Sequence, residues 1–382
     1  MTQPSRAEIV VDLDAIRHNV GVLREIAGVT MITVVKANGY GHGMAPVARA
    51  AREAGSPWLA VATLDEAAAL RGSGDTGRIL TWLTVPGEDY ADAIRADVDL
   101  TAYSLAELDE IQAAATHLGS PARLQLKVDT GLSRGGAERR DWEELFARAR
   151  SGEKAGHWRI AGIWSHLACA DRPEHPANDA QEAAFEDALT LADAAGLEPE
   201  LRHLANSAAT ILRPSARYDA VRCGIAAYGL DPAPSATHHT DLRPAMTARA
   251  DLALVKHVEA GDSVSYGQVW TATAPTTIGL VPVGYGEGVP VHASNVAAVS
   301  IGGKRRPIRG RVCMDQILVD LGGDEPPVGS DVVLFGAPGD ARPTAQDWAE
   351  ACGTINYEIV TRMGGRMTRR YVGTDPDPGG AR

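Results

Sequence analysis

A (β/α)₈ TIM-type barrel followed by a C-terminal mainly-β domain is the α/β fold this 382-residue chain predicts, and three observations lead there. Strand-like and helix-like segments alternate eight times over roughly 220 residues, the pattern of a closed barrel, with an open doubly wound sheet as the competing topology. Near residue 236 the texture changes: the linker-like run Asp231-Pro232-Ala233-Pro234-Ser235 leads into sequence rich in Gly, Pro and β-branched residues, where helical stripes mostly disappear. Polar residues also collect at the ends of the apolar strands, where a barrel places its chemistry. The chain divides accordingly into a strand within 1–12 that joins the β domain, a barrel over 13–235, and the β domain over 236–382.

In order, a short strand at 9–11 leads to Asp12 or Asp14, either able to cap a helix carrying Ile16, Val20 and Leu23. Barrel strands are expected at 31–36, 58–63, 78–83, 100–103, 122–128, 159–166, 201–205 and 221–226, the first of them opening on an apolar, β-branched run. Thr63 with Glu66 and Ser104 with Glu107 form capping boxes, and Leu105, Leu108, Ile111 and Leu118 continue a helical stripe after the second. Beyond the linker, strands are expected at 252–258, 264–266, 276–283, 296–301, 311–319 and 332–335, with one helix at 344–352. The tail after Tyr371 has the composition of a disordered segment.

Net charge of −12 argues against a nucleic-acid surface, which needs a clustered basic face. Lys304-Arg305-Arg306 is short and follows Gly302-Gly303, a solvated hairpin. No stretch approaches a membrane-spanning length, and residues 1–8 lack the apolar core of a signal peptide. Cys169, Cys223, Cys313 and Cys352 are scattered without C-x-x-C spacing, which fits a reducing, cytoplasmic setting. His166 and Cys169 lie close together, but no further ligands stand at metal spacing, so no zinc is expected.

The functional reading centres on Val34-Val35-Lys36-Ala37-Asn38-Gly39-Tyr40-Gly41-His42-Gly43. Lys36 ends a buried strand, where desolvation lowers an ammonium's pKa, as Schiff-base lysines require. The alternating glycines let backbone approach a ligand closely. The alternative is an ordinary loop with a snorkelling lysine. Four other strands deliver polar groups to the same barrel end: Lys127 with Asp129 and Arg134, Ser165-His166, His203 with Asn206-Ser207, and Arg222 with Gly224-Ile225. Ser207 and the Gly224-Ile225 backbone follow the seventh and eighth strands, a frequent phosphate position in barrels. Asn206-Ser207-Ala208 also opens a helix whose free N–H groups favour an anion, although Ser207 could equally be a simple cap. Tyr40 and Tyr357 are further candidate phosphate donors. The glycine-rich runs at 72–78 and 284–288 lack the ending or framing of nucleotide loops. His42 and His203 read as structural histidines with supporting roles at most.

The segment at 34–43 resembles the pyridoxal-phosphate attachment motif of alanine racemases. The resemblance continues through 127–134, Ser165-His166-Leu167-Ala168-Cys169-Ala170-Asp171, 203–207, 222–229, Val264-Ser265-Tyr266-Gly267, Val283-Gly284-Tyr285-Gly286, 310–316 and Asn356-Tyr357-Glu358, in the family's order. It implies a pyridoxal 5'-phosphate enzyme that interconverts L-alanine and D-alanine, supplying D-alanine for peptidoglycan. Lys36 would carry the cofactor; Tyr40, Ser207, Gly224, Ile225 and Tyr357 would hold its phosphate; His166 and Asn206 would lie beside it. Arg222 would face the pyridine nitrogen and Arg134 the phenolic oxygen. Lys127 matches a position often carbamylated in the family. Racemisation needs a base on each face of one carbon, and the family pairs this lysine with a tyrosine, here Tyr266, that His166 could assist. Free tyrosine titrates near pH ~10 and is a poor base at neutrality. Tyr266 and Met314 would come from the partner in a homodimer, completing the other chain's site for a small amino-acid substrate.

Two positions depart from the family pattern. Glu287 replaces a usual aspartate, and Val289-Pro290-Val291-His292 lacks an arginine often found there. By resemblance both belong to the substrate access corridor, which leaves side-chain specificity open between alanine, serine and a broader range. Two other readings compete. A barrel-type decarboxylase of basic amino acids usually has a longer chain and a catalytic cysteine in a context Cys352 lacks. A pyridoxal-phosphate carrier protein resembles the barrel alone and needs no second base.

Overall fold

The computed structural model of the chain describes residues 6–339 and 341–373. The tail expected to be disordered lies almost wholly outside them. The chain opens on β1 (Ala7–Asp12), and Asp12 caps the helix Leu13–Ala27 by accepting from Asp14 N and Ala15 N. Eight parallel strands follow: β2 (Thr30–Val34), β3 (Trp58–Ala60), β4 (Arg78–Leu80), β5 (Asp99–Ala102), β6 (Ala122–Lys127), β7 (Trp158–Trp164), β8 (Leu201–His203) and β9 (Ala220–Cys223). They close into a barrel, with β9 pairing back onto β2. The open doubly wound sheet is therefore excluded.

Most barrel strands stop before their expected C-terminal ends. Single bonds such as Val61 N to Leu80 O and Ser165 N to His203 O carry the ladder one step further. Beyond that the chain peels away into loops at the barrel mouth. Thr63 and Glu66 form the expected capping box on the helix Leu64–Gly72, and Ser104 caps Leu105–Leu118.

The barrel interior is polar along one line. Residues 99 and 101 of β5 share a face with 123, 125 and 127 of β6, because side chains alternate along a strand and paired residues point the same way. Lys127 opens on the barrel mouth, so that face is the interior. Asp99, fully buried, pairs with Arg78 at 2.7 Å and Arg123 at 3.0 Å. Gln125 and His203, also fully buried, lie above, followed by Arg222 near the mouth. A buried carboxylate such as Asp99 is tolerable only because it has such partners.

The remaining strands are β10 (Met246–Asp251), β11 (Leu254–Val258), β12 (Thr276–Val281), β13 (Ala298–Ile301), β14 (Lys304–Pro307), β15 (Ile317–Gly322), β16 (Asp331–Phe335) and β17 (Thr368–Val372). They form a six-stranded sheet in the order β14-β13-β16-β10-β1-β17 and a three-stranded sheet β11-β12-β15. β1 thus pairs antiparallel with β10 and parallel with β17, far from it in sequence.

The expected strand at 264–266 is absent. Ser265, Gly267 and Gln268 have φ of 70°, 71° and 47°, which no extended strand permits, and Tyr266 sits on a 3₁₀ turn instead. The expected strand at 311–319 begins only at Ile317. β10, β17 and the helix Asn356–Arg362 were not anticipated. One continuous apolar core joins barrel and β domain. Among the described residues no helix is long and apolar enough to cross a membrane.

Candidate active site

Lys36 leaves β2 on a turn of unusual hand. Ala37, Asn38, Gly39 and Tyr40 have φ of 52°, 53°, 62° and 51°, one left-handed turn containing three residues with side chains. Each such residue costs about 1–2 kcal/mol, so the surroundings must hold it. Glu66 Oε1 accepts from Ala37 N at 2.6 Å while its other oxygen caps Ala62 N at 2.8 Å. Asn38 Oδ1 accepts from Met44 N at 3.0 Å. The C-terminal segment closes over the glycines. Arg369 Nε donates to Gly41 O, and Cβ atoms at Gly41 and Gly43 would strike Val360 O at 2.4 Å and Tyr371 Oη at 2.0 Å. His42 stays fully buried, its pKa pushed down to about 4 by burial.

The Lys36 amine enters a cavity of about 780 Å³ at the barrel mouth. Burial lowers its pKa, and the nearby Arg134 cation lowers it further. Tyr40, Lys127, Arg134, His166, Asn206, Ser207, Arg222, Gly224, Ile225 and Tyr357 line the same cavity. One end is a cup. Ser207 Oγ accepts from Gly224 N at 2.9 Å and Ala226 N at 3.4 Å. A Cβ on Gly224 would lie 2.3 Å from Tyr40 Oη, so only glycine leaves that hydroxyl in place. Tyr40 and Tyr357 rings lie 6.4 Å apart. Burial raises both phenols; Tyr357 and Cys223 raise Tyr40 further, and Asp171, Asp231 and Cys223 raise Tyr357. They are held as neutral hydroxyls able to donate to an anion. Asn206 caps the adjoining helix through Ala209 N at 3.1 Å.

Arg222 is 4% exposed and faces no carboxylate among the described residues. Nη1 donates to His203 Nδ1 at 2.8 Å and His203 O at 3.1 Å; Nη2 donates to Ser165 O, Leu204 O and, at 3.2 Å, His166 Nδ1. A guanidinium can only donate, so both Nδ1 atoms are acceptors and both imidazoles carry their proton on Nε2. Burial, reinforced by Arg222, holds both histidines well below their usual pKa. His166 therefore offers the cavity an N–H.

Lys127, 7% exposed, pairs with no carboxylate among the described residues. Its ammonium lies 4.7 Å from the Trp164 ring centroid. Burial and the charges of Arg134 and Arg222 bring its pKa down to about 8. Arg134 rides on a closed loop in which Asp129 Oδ1 accepts from Gly131, Leu132 and Ser133 N–H, while Val128 bridges Ala137. Trp82 and Trp164, 5.9 Å apart, and Tyr103 wall the cavity. Sequence reading passed over these aromatics because each also reads as core.

Tyr266 and Met314 do not reach this cavity. They line a separate groove of about 800 Å³ on the β domain, with Tyr285 and Cys313, and are 71% and 54% exposed. Glu287 turns inward, contrary to a corridor-lining role. Fully buried, it accepts from Gly284 N at 2.9 Å and pairs with Arg366 at 2.5 Å and Arg6 at 3.3 Å. Val291, by contrast, is exposed.

Comparison with known proteins gives a consistent answer. Residues 11–232 match the family model "Alanine racemase, N-terminal domain" and residues 245–371 the model "Alanine racemase, C-terminal domain". A curated alanine racemase of Salinispora arenicola is 51% identical over 97% of this chain and 100% of its own. The crystal structure of alanine racemase from D-cycloserine producing Streptomyces lavendulae superposes with a TM-score of 0.95 at 47% identity, covering 97% of this chain and 98% of the other. The Bacillus anthracis alanine racemase with bound L-Ala-P is 36% identical, with a TM-score of 0.89 over 98% and 96% of the two chains.

Proposed function

The chain belongs to the alanine racemase family, and on that premise we propose that it interconverts L-alanine and D-alanine with pyridoxal 5'-phosphate. Two bases would do the work, Lys36 and Tyr266 of the partner subunit, in a cytoplasmic homodimer supplying D-alanine for peptidoglycan. The observation that carries the reading is the joining, in one cavity, of a buried amine of lowered pKa, a cup of neutral hydroxyls, and a buried arginine that meets no carboxylate among the described residues.

The residues fit the cofactor. The cup that a Cβ at 224 would fill, with Tyr40, Ser207, Ile225 and Tyr357 around it, suits a phosphate. Asn206 and His166 would lie beside the ring, Arg222 at its nitrogen and Arg134 at its phenolic oxygen. Bound at Lys36, pyridoxal phosphate would supply the electron sink that acidifies an amino acid's α-hydrogen. Arg222, fixed by five acceptors, disfavours a second positive charge beside it. That tempers the sink and favours return of the proton to the α-carbon over transamination.

Lys36, its pKa lowered by burial, can release and retake a proton at Nζ more readily than an ordinary lysine. Tyr266 is too exposed and too remote from its own chain's cavity to act there, so it would serve the opposite face in a second copy. The neutral His166, anchored through Nδ1, would present Nε2–H toward that phenol. Lys127 would gain a carboxylate from CO₂ and then hold Arg134. Met314 would complete the small substrate's enclosure.

The deciding experiment incubates the cofactor-loaded protein with L-alanine in heavy water, following chirality and α-deuteration together. Deuterated D-alanine is the expected product. Deuteration with retained configuration would remove Tyr266 from its role, and neither signal would reject the activity on alanine.

A further inference from the structure

The Arg222 cluster continues past the groups that could touch a cofactor. His203 Nε2 lies 2.7 Å from Gln125 Oε1, inside the barrel, and both residues are fully buried. Since Arg222 can only donate to His203 Nδ1, the imidazole proton must sit on Nε2, and its partner must be an acceptor. That requirement fixes the Gln125 amide: its oxygen faces His203, and a flipped amide would set two donors against each other. The Nε2 of Gln125 has no hydrogen-bond partner among the described residues. The amide is thus held by its single bond to His203 and by the walls around it.

One of those walls is an absence of side chain. A Cβ on Gly162, in the neighbouring strand β7, would lie 2.8 Å from Gln125 Oε1 and 3.0 Å from its Cδ. β6 and β7 shift register between Leu124 and Gln125, which sets Gln125 opposite Gly162. The barrel therefore makes room for this amide and nothing larger. A buried glutamine with one bond and an unpartnered NH₂ group is a costly core residue; methionine would fill the volume without that cost. His203 also stacks on Trp164, with ring centroids 5.6 Å apart and 7° between planes, and Trp164 carries the Arg222 guanidinium at 4.7 Å.

We propose that Gln125 is a positioning residue for the reaction: it locks the tautomer and ring orientation of His203, so that His203 accepts from Arg222 and fixes the guanidinium in the cavity. This rests on the racemase reading for what Arg222 faces, but not for the tautomer itself. Without the Gln125 oxygen, His203 can move its proton to Nδ1 and turn a donor toward Arg222.

The test uses the cofactor-loaded protein carrying ¹⁵N-histidine, with the His203 ring signals assigned by His203→Asn. The protein itself should show protonated Nε2 and bare Nδ1. Gln125→Met should give a tautomer mixture and a kcat lower by about tenfold, the scale of one lost buried hydrogen bond, with KM for alanine within about twofold. Gln125→Glu keeps the accepting oxygen and should retain the Nε2-protonated ring. Gly162→Ala, which leaves Gln125 in place but pushes it aside, should reproduce the Gln125→Met pattern and covers the case in which that variant does not fold. An unchanged His203 pattern in either folded variant would overturn the proposal, as would a changed pattern with unchanged kcat. Absence of racemisation by the unsubstituted protein would instead reject the racemase reading, and the tautomer would still be judged by its own signals.

Discussion

Removal of dissolved CO₂ is the perturbation that Lys127 makes most informative. Only a neutral amine adds CO₂. With its pKa near 8, about one Lys127 in ten is neutral at pH 7, against about one in 2,500 for an ordinary lysine near 10.4. The reactive fraction is therefore larger by a factor of a few hundred. The product reverses the local electrostatics: a cation repelled by Arg134 and Arg222 becomes a carboxylate attracted to both. Cofactor-loaded protein stripped of CO₂ and resupplied with ¹³C-bicarbonate should show a carbamate resonance that Lys127→Ala lacks. The rate at which it adds dissolved CO₂, releasing a proton as the carbamate anion forms, should rise about tenfold from pH 6 to 7 and level off above about 8, where the neutral fraction saturates. Racemisation should fall on stripping and return on resupply. The unmodified protein adds an independent check. Because the folded pKa lies below the unfolded one, the unfolded chain binds more protons between about pH 8 and 10.4, and stability rises with pH across that window. The gain relative to Lys127→Met is at most about 3 kcal/mol, readable as a rising Tm. A carbamate inflection at the ordinary lysine pKa, or none at pH 8, would refute the reasoning.

Three further outcomes are expected. Mixing Lys36→Ala with Tyr266→Ala subunits should restore about a quarter of full activity, since random exchange makes half the dimers hybrid and each hybrid has one intact site of two; no recovery after verified exchange would count against a shared site. Gly224→Ala should weaken pyridoxal-phosphate binding by about tenfold or more by displacing the Tyr40 hydroxyl, measured by absorbance titration, and an unaltered affinity would move the phosphate elsewhere. Glu66→Ala should cost about 1–2 kcal/mol by releasing Ala37 N and should lower kcat through misplacement of Lys36; loss of stability without loss of kcat would show the left-handed turn to be held by other contacts.

The barrel was legible because apolar runs and capping boxes are local signals. Most of the cavity was legible because barrel topology brings strand ends together, so five short motifs sufficed to name its polar lining. The turn after Lys36 was legible only in part. Asn38 and Gly39 suggest positive φ, but Ala37 and Tyr40 do not, since their conformation is imposed by Glu66, Arg369 and the chain end. The capping box announced Glu66, but its second bond depends on β2 pairing with β3, which brings the loops after the two strands together. Gln125 carries no signal of its own within the expected strand at 122–128; it is the closed barrel that turns Gln125 and Lys127 inward beside His203 and Arg222. β10 was missed because its buried positions are Met and Ala, and β17 because Thr368-Arg369-Arg370 carries no apolar run.

Tyr266 shows why a misread strand matters to the function. Its turn is strained at Ser265 and Gln268, and strain of this kind persists only where the surroundings over-determine it. Here they do. Ser265 Oγ donates to Arg311 O at 2.6 Å, and a Cβ on Gly310 would strike Val264 O at 2.6 Å. Tyr285 N and Gly286 N donate to Cys313 O and Met314 O, and Arg366 ties the buried Glu287 to Asp315 at 2.6 Å. The network is firm beneath, yet the residues it presents, Tyr266, Tyr285 and Met314, are exposed and bury little apolar area in their own chain. Fixing exposed side chains costs conformational entropy that burial within this chain does not offset. Such a groove gains stability only when another surface covers it, and rigid presentation is what a reacting group needs when its substrate sits in a different molecule. The exchange experiment on Lys36 and Tyr266 tests that argument directly, because a groove serving only its own chain would give no recovery.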